Sequence, residues 1–127
     1  MEKIEIDVIL KYNIKKWSKG DYTKGGFYLI TDNNNNNLYV GKSKDVLLRL
    51  KNHIYNARNN KGLLIDKIIG QNVNDFNFYI IDTYVNLGIN FFSKNLDNVF
   101  EHKFIREFNT YYPNGFNKTY YEQLRIK

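Results

Sequence analysis

A chain of 127 residues, 43% hydrophobic and 25% charged, has the size and balance of a single globular domain with its own core. It contains no cysteine, which excludes disulfides and thiolate metal sites and points to an intracellular compartment. No apolar run approaches the roughly 18 residues a membrane span needs, so no membrane partner is expected, while a net charge of +6 favours a polyanionic partner through phosphate neutralisation.

Residues 1–24 read as an N-terminal extension ahead of a main domain over 25–127. Its apolar residues Ile4, Ile6, Val8, Ile9, Leu10, Ile14 and Trp17 suit a short strand or helix, and the segment lacks a signal peptide's apolar stretch and cleavage site. Lys19-Gly20-Asp21 predicts a turn, and Lys24-Gly25-Gly26 a hinge. Phe27–Thr31 is rich in aromatic and β-branched residues and predicts a strand. Asp32 and the asparagines Asn33 to Asn37 form a turn, because Asn tolerates left-handed backbone and bonds locally. Leu38-Tyr39-Val40 is the returning strand. A helix capped by Ser43 follows to about Asn56, with Val46, Leu47, Leu50 and Ile54 on one stripe. Gly62–Ile69 predicts a short helix ended by Gly70, and Phe76–Ile81 a third, central strand. Lys94–Asn109 predicts a longer helix carrying Leu96, Val99, Phe100, Phe104, Ile105 and Phe108, and Pro113 and Asn114-Gly115 mark a turn before a basic tail. The sum is an α+β domain, a small three-stranded sheet flanked by helices.

Within that frame several polar residues stand out. A six-residue loop over 32–37 pairs Ile30 with Tyr39 and Tyr28 with Gly41, so both tyrosines share one face and Gly41 leaves room opposite Tyr28. A loop one residue longer or shorter separates them. Asp45, Arg49 and His53 are spaced four apart along the next helix, at the border of its apolar stripe. Glu101 falls between Phe108 and Ile105 inside an apolar arc, where a carboxylate needs a cation: a metal, or an arginine or lysine in a structural pair. Asp97, one turn earlier, is the alternative for the same role. Asn117 follows the Asn114-Gly115 turn, and Lys42, Lys44 and Lys51 lie beside the helix that bears Arg49.

In this order the residues resemble the GIY-YIG nucleases. The two tripeptides that name the family stand here as Gly26-Phe27-Tyr28 and Tyr39-Val40-Gly41, with apolar replacements of isoleucine at Phe27 and Val40. Arg49, His53, Glu101 and Asn117 match the helical arginine, a histidine one turn later, a metal-binding glutamate and a late asparagine. The resemblance covers about residues 25–120. It implies an endonuclease that hydrolyses DNA phosphodiester bonds with one Mg²⁺ or Mn²⁺ ion held by Glu101. It also implies that Arg49 binds phosphate, that Tyr28 orients or deprotonates water, and that Tyr39 positions phosphate or water. His53 then either lowers the Tyr28 pKa as a cation or takes the proton itself, and Asn117 ties the site together. Lys42, Lys44 and Lys51 are expected on the DNA backbone. A zinc finger or helix-turn-helix pattern is not visible, which predicts weak sequence specificity, and cutting both strands needs two visits or a homodimer. The competing readings are a catalytically inactive nucleic-acid-binding module of the same fold, and a structural domain with a basic surface.

Overall fold

The computed structural model describes residues 1–13, 22–90 and 92–118. The expected Lys19-Gly20-Asp21 turn, Ile14, Trp17 and the end of the basic tail lie outside the described residues. The elements are β1 (Glu2–Ile4), α1 (Ile6–Lys11), β2 (Gly26–Asp32), β3 (Asn37–Ser43), α2 (Val46–Arg58), α3 (Leu64–Ile69), β4 (Phe76–Thr83), α4 (Tyr84–Leu87) and α5 (Leu96–Phe108), with a 3₁₀ turn over Val73–Asp75. The fold is α+β, as the sequence predicts.

The sheet has four strands rather than three, in the order β1-β4-β2-β3 and antiparallel throughout. The added strand comes from the N-terminal extension, where Glu2, Lys3 and Ile4 pair with Ile80, Tyr79 and Phe78. Three residues carry too little alternation to announce a strand, and pairing against β4 decides it. Strand β4 is internal, as expected.

Helices cover both faces. One core joins Tyr28, Ile30 and Phe78 of the sheet to Ile9, Leu50, Ile54, Ile65 and Ile69 from α1, α2 and α3. The other joins Phe27, Leu29 and Val40 to Tyr84, Phe104 and Ile105 from α4 and α5. The alternation Phe27-Tyr28-Leu29-Ile30 thus feeds both cores, and fully burying a side chain of this size contributes about 1.5–3 kcal/mol. Val99, read as part of the apolar stripe of α5, instead faces outward at 62% exposure.

The hairpin turn is organised by Asp32. Its carboxylate accepts from the backbone N–H groups of Asn34 and Asn36 and from the Asn36 amide, each at 2.9 Å, while Asn35 takes the left-handed conformation at φ 62°. The helix cap also moves from its expected place. Asp45, not Ser43, is the N-cap of α2, accepting from the Leu48 N–H at 3.2 Å. Ser43 braces it, its hydroxyl accepting from the Asp45 N–H at 3.0 Å and donating to the Asp45 carbonyl at 2.9 Å.

Candidate active site

The hairpin register is the expected one: Tyr28 faces Gly41 and Ile30 faces Tyr39. Tyr28 and Tyr39 therefore project to the same side of the sheet, their ring centroids 6.3 Å apart. The side is the one covered by α2, which delivers Arg49 and His53 to the two phenols. His53 stacks edge-on against both, at 5.5 Å from Tyr28 and 5.8 Å from Tyr39.

His53 is not at a solvated helix border; it is completely buried. Its Nε2 meets the Tyr28 hydroxyl at 2.7 Å, and its Nδ1 meets Oδ1 of Asp66, itself completely buried on α3. Burial holds His53 below its ordinary 6.5, and the Arg49 guanidinium pushes the same way, against the hydrogen bond and charge of Asp66. A neutral ring beside a carboxylate keeps its proton on Nδ1, donating to Asp66, and Nε2 then accepts from the Tyr28 O–H. Of the two expectations for His53, burial favours the neutral ring that takes the proton over the cation that lowers the Tyr28 pKa.

Tyr28 is 1% exposed, and burial raises its pKa well above 10, with Tyr39 adding to the rise. Arg49 opposes this, as a charge and as a hydrogen-bond donor to the phenol, without overcoming desolvation. Tyr28 is therefore a protonated phenol with a prepared acceptor. Tyr39 is half-buried and pushed up to about 12 by burial and by Glu101, against the pull of Arg49.

Tyr39, Glu101 and Asn117 line one cleft of 340 Å³, with Leu63, Leu64 and Lys118 at its walls. Tyr28 lies behind Tyr39 and does not line it. Glu101 comes from α5, which packs on the opposite face of the sheet and reaches Tyr39 around the β3 edge. Burial raises the Glu101 pKa, Lys42 lowers it and Asp97 adds to the rise. Among the described residues Glu101 forms no ion pair, whereas Asp97 is held by Lys42 at 2.9 Å. The structural pair of Glu101 with Arg49 is thus absent, and Asp97 is engaged elsewhere. Nowhere among the described residues do three or more ligating side chains gather. A half-buried carboxylate without a cation, opening on a cleft with room for water, fits a hard cation that takes one protein oxygen and fills its shell otherwise.

Asn117 is a clamp. Its Oδ1 accepts from the Val40 N–H at 2.9 Å and from the Thr110 hydroxyl at 2.7 Å, and its Nδ2 donates to the Val40 carbonyl at 2.8 Å. The side chain mimics one residue of a strand and ties the C-terminal turn to the outer edge of β3.

The three lysines are spread out. Lys42 bridges to Asp97 and Asn98 on α5, Lys51 donates to the Tyr12 carbonyl at 2.8 Å, and Lys44 sits 5.3 Å over the Tyr22 ring. Asp66 is the site residue that sequence reasoning misses. At the third position of α3 it looks like an ordinary cap, and its Oδ2 does accept from the Leu63 N–H at 2.9 Å. Nothing local signals that its other oxygen reaches a histidine on the preceding helix.

Comparison with known proteins agrees with this geometry. The family model described as the GIY-YIG catalytic domain matches residues 24–117. The chain is also similar to a protein of Neurospora crassa described as "Probable intron-encoded endonuclease 1", at 31% identity over 94 residues. That alignment covers 74% of this chain and 28% of the relative, so the chain spans little more than a quarter of the length of the curated relative it matches. No solved structure gives a significant match. With both tripeptides, the helix that follows them and the closing Asn117 inside the matched span, this chain belongs to the GIY-YIG family.

Proposed function

We propose that this protein is a metal-dependent endonuclease that hydrolyses phosphodiester bonds of DNA. The observation that carries the reading is a desolvated carboxylate, without an ion pair among the described residues, sharing one cleft with the Tyr39 phenol, while the Arg49 guanidinium acts on both Tyr39 and the Tyr28 phenol beside it. Holding Glu101 there is costly to the fold, and a binding surface has no use for it. Family membership and the similarity to a described endonuclease support the same reading.

In this mechanism Glu101 holds one Mg²⁺ or Mn²⁺ ion, whose contribution when bound is Lewis-acid stabilisation of the departing 3′ oxygen. Arg49 binds a phosphate oxygen and offsets the charge that builds there. The same guanidinium acts on the Tyr28 phenol in the free protein, and binding phosphate would turn it toward the substrate. Tyr28 is closed to solvent in the free protein, so the step requires that substrate binding open a path from the cleft to its hydroxyl. Tyr28 then takes a proton from the attacking water as its own proton passes to His53 Nε2. The water oxygen bonds phosphorus, the bond to the 3′ oxygen breaks, and that oxygen takes a proton from solvent. The products carry 5′-phosphate and 3′-hydroxyl ends. Tyr39, at the mouth of the cleft, positions water or phosphate, and Asn117 holds β3 against the C-terminal turn so that Tyr39 and Glu101 keep their spacing.

Labelled single-stranded, duplex and branched DNA, incubated with the protein and Mg²⁺ and with its ends mapped, tests this directly. Metal-dependent products with 5′-phosphates are expected. Cleavage no greater than that of a Glu101→Gln control on all three substrates would overturn it.

A further inference from the structure

Behind the cleft, three polar side chains form a line with no opening to solvent: Tyr28 at 1% exposure, His53 and Asp66 at 0%. Burying this set is justified only if each polar atom has a partner, and each contact in the line is short. The carboxylate at its end is fixed from two sides. Oδ1 faces His53 Nδ1, and Oδ2 accepts from the Leu63 N–H at 2.9 Å. Gly62, at φ 95°, turns the chain there, and a Cβ at that position would overlap Oδ2. The turn between α2 and α3 is built around this carboxylate.

From this geometry we infer that Asp66 is a positioning residue, which locks His53 in the Nδ1–H tautomer and so keeps Nε2 as the acceptor of the Tyr28 proton. The consequence for cleavage rests on the endonuclease reading above; the tautomer does not. Charge explains the arrangement. Before proton uptake the buried line carries one net negative charge, on Asp66. Afterwards it holds a histidinium–carboxylate pair and is neutral. Asp66 thereby makes the buried ring a better proton acceptor than burial alone would leave it. The groups that face His53 are Tyr28 from β2, Tyr39 from β3, Asp66 from α3, and Arg49 on its own helix; of these only Asp66 favours the charged ring.

Asp66→Asn separates positioning from mere capping. The Leu63 N–H can only donate, so it retains the amide oxygen, and the amide NH₂ then faces Nδ1. The ring must shift its proton to Nε2, where it points at Tyr28 and leaves that hydroxyl without an acceptor. The chain has two histidines, so His102→Gln leaves His53 as the single signal in ¹⁵N-histidine NMR. Expected are the Nδ1–H tautomer with Asp66 in place, the Nε2–H tautomer in Asp66→Asn, and a fall in cleavage rate of about a hundredfold or more with DNA binding unchanged. The inference is overturned by an Nε2–H tautomer when Asp66 is present, by an Nδ1–H ring in Asp66→Asn, or by a variant that cuts within threefold of wild type. If Asp66→Asn does not fold, the spectrum with Asp66 in place decides the inference. If the wild type cuts no DNA, the endonuclease reading falls and the two spectra alone judge Asp66.

Discussion

Gly41 lies directly across the β2–β3 ladder from Tyr28, and the place a Cβ would take at position 41 is filled by the Tyr28 ring and hydroxyl. The glycine of the second tripeptide thus serves the tyrosine of the first. Gly41→Ala forces the phenol off His53, so it should cost about 1–3 kcal/mol in overpacking and remove most of the activity. A denaturant midpoint and a cleavage rate, measured together, check this; a variant matching wild type in both would refute the packing argument.

Glu101→Gln is expected to abolish metal-dependent cleavage and to raise the thermal midpoint of the metal-free protein by a few degrees. Burial raises the Glu101 pKa, so its ionisation opposes folding. The stability with its carboxyl protonated is present in full below its unfolded value near 4.5 and is lost as pH rises through the folded value. The gain on substitution should therefore be absent at pH 4 and present at pH 7. Calorimetry at the two pH values measures it.

Cleavage should rise with pH and level off below pH 6.5, because burial sets the His53 pKa beneath its ordinary value and the neutral ring is the acceptor. The sign for stability agrees. The unfolded chain binds the His53 proton more readily than the folded one, so folding weakens as pH drops from about 6.5 through the lowered value. A rate still climbing between pH 7 and 8 would mean that another group limits the reaction.

Tyr28→Phe and Arg49→Ala should each lower the rate by about two orders of magnitude. Their stability effects should differ. Tyr28→Phe leaves the buried His53 Nε2 without a donor, a cost of about 1–3 kcal/mol, whereas Arg49 is only half-buried. Single-turnover kinetics beside urea titrations distinguish the two; similar losses of tenfold or less would indicate a binding surface.

DNA affinity should fall with salt and vary little with sequence, since the charge is +6 and no base-reading element stands out. Lys44 is exposed, and Lys42 and Lys51 are already bonded within the protein. Lys44→Gln should therefore reduce the salt slope by about one, and Lys51→Gln should mainly loosen α1 from α2. Binding isotherms at three salt concentrations resolve this.

The sequence by itself determined the α+β fold, the hairpin with its register, and the family. Each is written in short-range features: alternation in Phe27–Ile30, a turn of fixed length, tripeptides in order. Other features became visible only in the tertiary structure. Strand β1 exists because β4 offers it an edge, and Asp45 rather than Ser43 caps α2 because the Ser43 hydroxyl is taken up by the Asp45 backbone while the Asp45 carboxylate accepts from Leu48. Glu101 and Asp97 look alike on one helix face until Lys42 pairs with Asp97, leaving Glu101 without an ion pair among the described residues. Asp66 reads locally as a cap. Its bond to His53 depends on how α3 docks against α2, a distance between helices that no spacing within one element records.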